Sequence, residues 1–300
     1  MTGRPIHAMT VDVEDYYQVS GMEDRVCRSD WDQLESRVER STDRMLSLFD
    51  EVDVRGTFFI LGWVAERFPA LVKRIARAGH EIASHGYWHR LVYEITPDEF
   101  AKDISDSCDA IYTACGVRPT AYRAPSFSII QDSLWALDIL VEHGFTDDSS
   151  IFPIAGHDRY GVPGSRKDIH TRKTTHGPIR EYPPSIARFG KAPVPVGGGY
   201  FRLLPLHLTI RAIQSIEKKH RPAMFYIHPW EIDPEQPRVK GLRRSAAFRH
   251  YIGLERTERK LRRMMNRLSF GTMTESRKNA DQHQKKTADK RSDLNASITR

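Results

Sequence analysis

An α/β fold with a parallel sheet and helices outside it, doubly wound or closed as a barrel, is predicted by two features of this sequence. Short apolar runs alternate with amphipathic segments of helical period along nearly its whole length. Five of those runs also deliver an ionisable residue at the carboxyl end, the rim where catalytic groups gather in α/β barrels.

Residues 7–13 read as a strand ending in Asp12, Glu14 and Asp15. Residues 31–50 read as a helix with Leu34, Val38, Met45, Leu46 and Phe49 on one face. The apolar run 57–61 is a second strand. Residues 69–78 form a helix with Pro69 near its start and Gly79 past its end. Strand 80–84 leads into His85 and His89. Thr96, Pro97 and Glu99 spell a capping box that opens a helix running until Gly116. Strand 120–123 delivers Arg123, helix 132–143 follows, and the run 145–148 ends in Asp147 and Asp148.

Residues 151–175 lose the pattern and read as a long excursion over a site, with His157, His170 and His176 as loop residues. A strand at 179–182 precedes Gly197-Gly198-Gly199, where backbone must turn tightly or approach a neighbour closely. Helix 205–220 and strand 223–227 deliver His228. A basic helix is predicted over 246–268, and disorder from Gly271 onward.

Composition narrows the function classes. The 300 residues, 39% of them hydrophobic, can bury a large core, and no apolar run approaches the length of a membrane span. The first ten residues carry no secretion-type apolar segment, and Cys27, Cys108 and Cys115 are odd in number with no CxxC. Both features point to a reducing, cytoplasmic setting. The net charge of +7 concentrates in residues 238–267. No nucleic-acid motif accompanies it, so nucleic acid is not expected as a partner, and peripheral contact with an anionic membrane stays open.

Two imidazoles four residues apart, His85 and His89, can share a metal ion, and a catalytic site needs at least a third protein ligand. Ser84-His85-Gly86-Tyr87-Trp88-His89 resembles the H(S/T)xxH metal motif of the NodB-homology polysaccharide deacetylases, carbohydrate esterase family 4. Arg123-Ala124-Pro125-Ser126-Phe127 is similar to that family's RxPY groove motif, Ile227-His228-Pro229 to its late LxH motif, and Asp147-Asp148-Ser149-Ser150 takes the place of its aspartate motif. Stretches 11–16, 197–202 and 228–231 look like a subgroup that accompanies bacterial exopolysaccharide loci, including exosortase-linked ones.

The resemblance implies a single distorted (β/α) barrel of about seven strands. It implies a barrel over 1–235, a helical extension over 236–270 and a disordered polar tail over 271–300. It implies one divalent metal, zinc by default with cobalt or nickel as options. The family's first motif, TFDDG, is replaced here by Thr10-Val11-Asp12-Val13-Glu14-Asp15-Tyr16. Aligned on the threonine, Asp12 is the base and either Glu14 or Asp15 joins His85 and His89 as ligand. Aligned from the far end, Glu14 is the base and Asp15 the ligand.

His228 is implied as general acid, with Arg123 holding a carboxylate and Asp148 as partner of His228 or Arg123. An oxyanion-binding N–H is expected near Tyr87 or Trp88. Tyr87, Trp88, Pro125, Phe127, Tyr200 and Trp230 are the candidate groove residues. The implied activity is metal-dependent N-deacetylation of N-acetylated sugars in an exopolysaccharide or its lipid-linked precursor. An allantoinase-like amidohydrolase on a small ureide or cyclic amide is the alternative, and an inactive glycan-binding protein the third reading.

Overall fold

The computed structural model describes residues 4–154, 161–189 and 192–283. Its strands are β1 (His7–Val13), β2 (Thr57–Ile60), β3 (Glu81–Ser84), β4 (Ala121–Tyr122), β5 (Asp147–Asp148), β6 (His170–Thr174), β7 (Gly177–Glu181), β8 (Ile186–Phe189), β9 (Ala192–Pro195), β10 (Met224–Ile227) and β11 (Phe270–Gly271). Along the path β10-β1-β2-β3-β4-β5-β7 every neighbouring pair is parallel, so all these carboxyl ends share one rim. β6 adds antiparallel to β7, β11 pairs with β1, and β8–β9 is a separate hairpin.

The path holds the predicted seven parallel strands, but among the described residues no ladder joins β7 to β10. Single contacts span the gap instead. The Ser185 N–H donates to the Met224 carbonyl (3.4 Å), the Met224 N–H donates to Ser185 Oγ (2.8 Å), and Gly197 bridges Tyr226. Gly197 has φ 136°, and a Cβ there would lie 2.6 Å from the Tyr226 carbonyl oxygen, so the close approach predicted for the triple glycine is real.

Strand alternation decides which residues enter the barrel. Ala8, Phe59, Ala83, Ala121 and Met224 form one inner cluster with Tyr182 and Met273. Their alternates Met9, Val11, Phe58, Ile60, Ile82 and Phe225 belong to the main core against the helices. Counting two residues onward from the inner set reaches Asp12 (from Ala8 through Thr10), His85, Arg123 and, through Tyr226, His228. The small alanines leave room above them for these larger polar groups.

Around the sheet lie α1 (Val38–Glu51), α2 (Gly62–Arg67), α3 (Pro69–Arg77), α4 (Pro97–Cys115), α5 (Ala136–Glu142), α6 (Gly198–Leu203), α7 (Leu206–Glu217), α8 (Arg244–Tyr251) and α9 (Leu254–Met265). The α4 capping box is present as predicted: the Glu99 N–H donates to Thr96 Oγ1 (3.3 Å), and the Thr96 N–H donates to the Glu99 carboxylate (2.9 Å).

Several elements depart from the sequence reading. The helix expected over 31–50 begins only at Val38, after a 3₁₀ turn at Arg28–Gln33. The basic helix expected over 246–268 is two helices, broken at Gly253 with φ 73°. α9 is amphipathic and buries Leu261, Met264 and Met265. The excursion over 151–175 contains β6, which starts at His170, and His157 lies outside the described residues.

Disorder from Gly271 does not hold for 271–283. Phe270–Gly271 ladders with β1, residues 273–283 are helical, the Met273 N–H donates to Thr57 Oγ1 (2.8 Å), and Asn279 Oδ1 accepts from the Ile6 N–H (3.0 Å). These partners lie far back in the chain, so a local polarity reading misses them.

Two buried histidines seal the sheet away from the rim. His7 Nδ1 accepts from the Ala223 N–H (3.0 Å), and His80 Nδ1 accepts from the Gly56 N–H (3.1 Å), so both rings must be neutral. Burial pushes each imidazole down to about 4. A histidine pKa lowered on folding means that the unfolded chain binds more protons below pH 6.5, so stability falls as pH drops from about 6.5 towards 4. Thermal midpoints measured across that window should decline. They should decline less in the His7→Asn/His80→Asn double variant, whose amide oxygens can accept the same bonds without titrating. Equal slopes in both proteins would refute this assignment.

Candidate active site and metal centre

At the rim, Arg123 is fully buried, and its guanidinium binds the inner face together. Nη1 donates to Asp12 Oδ1 (2.6 Å) and Thr10 Oγ1 (2.9 Å), and Nη2 donates to Ser149 Oγ (2.9 Å). The Phe59 ring lies 4.1 Å beneath the guanidinium carbon. The carboxylate that Arg123 holds is that of Asp12.

Three ligand-type groups converge beside that pair. One donor atom each from Glu14, His85 and His89 lies within 4.8 Å of the others, all three residues buried. His85 Nδ1 faces the Arg123 carbonyl oxygen at 2.8 Å; a carbonyl only accepts, so Nδ1 carries the proton and Nε2 keeps its lone pair for the centre. Burial pushes the His85 imidazole down to about 4, opposed by Asp12, so the ring is neutral near pH 7. Burial pushes the Glu14 carboxyl up, but the imidazoles of His89 and His228 outweigh it and hold it at about 2.

Glu14 Oε2 sits 2.7 Å from His89 Nε2, yet it is buried with no hydrogen bond satisfying it, because that close approach lacks hydrogen-bond geometry. A buried carboxylate oxygen left unsatisfied beside two imidazoles is what a cation would resolve. Two imidazoles and one carboxylate converging in a buried site form the donor set of an open zinc-type site, so the residues present fit a divalent metal.

Asp15, the other candidate ligand, faces away. Its Oδ1 accepts from the Tyr16 N–H (2.9 Å), and its Oδ2 accepts from Ser36 Oγ (2.6 Å) and the N–H groups of Arg37 (2.8 Å) and Val38 (3.1 Å). It is the anionic cap of α1, filling the place of the local N-cap that the helix start lacks. Alternation carried past β1 accounts for the split: Asp12 and Glu14 face in, Asp15 faces out.

The loop holding both histidines is tied down by Asp103 of α4, which accepts from the N–H of Tyr87 (2.7 Å) and of Trp88 (3.2 Å). Neither amide is free for an oxyanion, which corrects the expected donor. Gly86 (φ 75°) fits because a Cβ there would lie 2.7 Å from Asp103 Oδ2.

Asp148 also departs from expectation. Its β4 neighbour is Tyr122, an outward residue in the second core cluster, so Asp148 is directed outward too. It accepts from Ser150 Oγ (2.5 Å) and pairs in register with Glu181. It partners neither His228 nor Arg123; the inward residue after β5 is Ser149. Asp147 pairs with Arg180 (2.9 Å).

The actual partner of His228 is Glu231. His228 Nδ1 lies 2.7 Å from Glu231 Oε1, and Arg202 Nε donates to Glu231 Oε2 (2.5 Å). Arg202 Nη1 donates in turn to the carbonyls of His250 (2.5 Å) and Ile252 (3.1 Å). The other edge of the ring, His228 Nε2, faces Glu14 Oε1 at 3.5 Å and Asp12 Oδ2 at 3.8 Å. Burial opposes charge on His228, but Glu14, Glu231 and Asp12 outweigh it and raise the imidazole to about 9. Glu231, Arg202 and His250 carry no role in the sequence reading. The signal available was the His-x-x-Glu spacing at 228–231, a helical-turn pair.

A cleft of about 420 Å³ opens above this floor, and Phe127, Tyr200 and Trp230 are among its lining residues. Trp230 is nonetheless a positioning residue. It is buried, stacks on His250 (4.3 Å between centroids, 12°), and its Nε1 donates to Glu14 Oε1 (3.2 Å). Tyr87 and Trp88 lie outside the cleft, where the Tyr87 hydroxyl donates to Glu66, and Pro125 is buried and not among the cleft's lining residues.

Residues 23–146 match the family model for polysaccharide deacetylase, and residues 149–278 match one described as a domain of unknown function (DUF3473). The chain is 35% identical over 98 residues to the peptidoglycan-N-acetylglucosamine deacetylase of Bacillus cereus, covering 32% of this chain and 36% of that protein. It is 34% identical over 110 residues to the peptidoglycan deacetylase of Helicobacter pylori, covering 36% of each. The chain thus spans little more than a third of these curated relatives. In fold it resembles a crystal structure of a putative polysaccharide deacetylase from Mycobacterium smegmatis, with TM-score 0.58 and 20% identity over 96% of each chain. It also resembles the peptidoglycan deacetylase PdaC of Bacillus subtilis, with TM-score 0.51 and 15% identity over 97% of this chain and 98% of that one.

The opposite assignments of Glu14 and Asp15 are separable by substitution. Glu14→Gln should lose bound zinc in a metal-content measurement while the protein stays folded. Asp15→Ala should keep the metal and lose stability, by about 1–2 kcal/mol for a lost cap and more where buried amides are stranded. Zinc retained in Glu14→Gln but lost in folded Asp15→Ala would reverse the assignment.

Proposed function

The chain carries a polysaccharide deacetylase domain of the NodB-homology, carbohydrate esterase 4 family, and on that premise we propose that it is a metal-dependent N-deacetylase of N-acetylated sugars. The substrate in this reading belongs to a bacterial exopolysaccharide or its lipid-linked precursor. Support for that finer step comes from the stretches 11–16, 197–202 and 228–231, which carry the exopolysaccharide resemblance and contribute Asp12, Glu14, Arg202, His228 and Glu231.

The observation that carries the proposal is the placement of Asp12 and His228 on one buried Glu14–His85–His89 centre. A divalent cation held by those three residues, zinc by the donor set, would acidify its water and polarise the amide carbonyl. In this reading Asp12 takes the water proton, supported by Arg123 fixing one carboxylate oxygen while Oδ2 lies toward His228. His228, protonated and aimed by Glu231, presents Nε2–H to the leaving nitrogen, which departs as an amine once it receives that proton. The C–N bond breaks, acetate takes the water oxygen, and the sugar keeps a free amino group.

Acetate release from N-acetylglucosamine oligomers should require metal and disappear with chelator. Asp12→Asn should lower kcat by about 10²–10⁴-fold with metal retained, the usual range for a lost acid–base group. Arg202→Ala should lower kcat with little change in KM, and added guanidinium should restore part of it, which a purely structural loss would not allow. Hydrolysis of allantoin-type ureides in preference to the oligomers would move the chain to the amidohydrolase reading. Full metal content with no turnover of either substrate class would leave a glycan-binding protein.

A further inference from the structure

Building on that reading, we infer that the N-acetyl sugar reaches this site carried on an apolar chain through an anionic linkage, and that the cleft wall made by α6 and α8 is the subsite for that carrier. The floor of the cleft is polar and catalytic. The wall above it is not: Met22, Leu203, Leu242, Phe248 and Ile252 line it. Sugar hydroxyls laid against such side chains would lose their water partners and gain none, which costs free energy for each stranded group. An extended glycan would therefore be a poor occupant of this side, whereas a hydrocarbon chain gains from every methylene it buries.

The wall is also open to solvent in a way that ordinary core residues are not. Phe248 is 56% exposed, Leu203 51% and Tyr200 38%. These are three of the six large hydrophobic side chains exposed among the described residues, and all three border this one cleft. Exposed apolar groups scattered singly need no explanation, but a cluster at a cleft mouth marks a binding surface.

The charge beside it supports a phosphate-type linkage. Arg249 follows Phe248 in α8, lines the same cleft, is exposed, and makes no ion pair among the described residues. The α8 sequence, Arg244 to Tyr251, contains no acidic residue to neutralise it. A guanidinium beside an apolar wall complements an anionic head on a hydrocarbon tail. The subsite is continuous with the floor, so a sugar joined to such a head would place its acetamido group over Glu14, His85 and His89.

The test compares acetate release from N-acetylglucosamine joined through a diphosphate to a farnesyl chain with release from soluble N-acetylglucosamine oligomers. The prenyl-linked substrate should show a higher kcat/KM by about tenfold or more, the effect of burying a few apolar groups. Phe248→Ser and Arg249→Ser should each reduce that ratio. Farnesyl diphosphate, titrated calorimetrically, should bind more tightly than either inorganic pyrophosphate or farnesol.

Equal kcat/KM for the two substrates, with no binding of farnesyl diphosphate, would overturn the subsite while leaving the deacetylase reading intact. Binding to anionic lipid vesicles that is lost in Phe248→Ser but untouched by free farnesyl diphosphate would assign the wall to a membrane surface and also overturn it. If neither substrate releases acetate, the deacetylase reading fails, and the farnesyl diphosphate titration alone decides the subsite.

Discussion

A buried guanidinium has to find its acceptors inside the protein, and Arg123 finds them for both Nη atoms while its Nε has none. Its side chain reaches Thr10 and Asp12 from β1 and Ser149 after β5, while its own carbonyl faces the His85 ring. One residue thus fixes the Asp12 carboxylate, the orientation of the His85 imidazole, and the spacing of β1, β4 and β5 at their carboxyl ends. Removing one partner of such a buried pair strands the other, at about 3–5 kcal/mol. The rim therefore holds its shape through electrostatics, above an interior that Ala8, Ala83 and Ala121 share with Phe59, Tyr182, Met224 and Met273.

Much of this arrangement was legible in the sequence because the period of a β-strand is short and strict. The inward row from Ala8 through Thr10 to Asp12, and the steps from Ala83 to His85 and Ala121 to Arg123, follow from alternation alone. The same rule, carried two residues beyond β1, separates inward Glu14 from outward Asp15. It likewise puts Asp148 with Tyr122 on the outer face. The motif alignment that chose Asp148 carries no parity. What stayed illegible were partners brought together only by folding. Asp15 caps a helix that starts more than twenty residues later, and the first residues after β11 lock onto Thr57 and Glu81.

The site also crosses the boundary between the two matched regions of the chain. His85, His89 and Arg123 fall within 23–146, whereas Arg202, His228, Glu231 and His250 fall within 149–278. The second region supports the floor directly. The His250 and Ile252 carbonyls hold Arg202, Arg202 holds Glu231, and Glu231 holds the ring of His228. Lys260 of α9 anchors the far side, donating to the carbonyls of Leu204 (2.6 Å) and Arg202 (3.3 Å) at the end of α6. Those carbonyls are otherwise orphaned at a helix terminus, where a cation is favourable.

The helices beyond the sheet therefore take part in holding the His228 ring. A lone carboxylate would leave that ring loosely oriented. Burial of Glu231 between Arg202 and His228 removes the slack: both oxygens are engaged, and the Arg202 charge helps hold the carboxyl below its usual range despite its burial. Trp230, wedged between the His228 and His250 rings and donating to Glu14, carries the same rigidity across to that carboxylate. His228 and Glu14 are thereby fixed by one aromatic stack, which couples the orientation of one to that of the other.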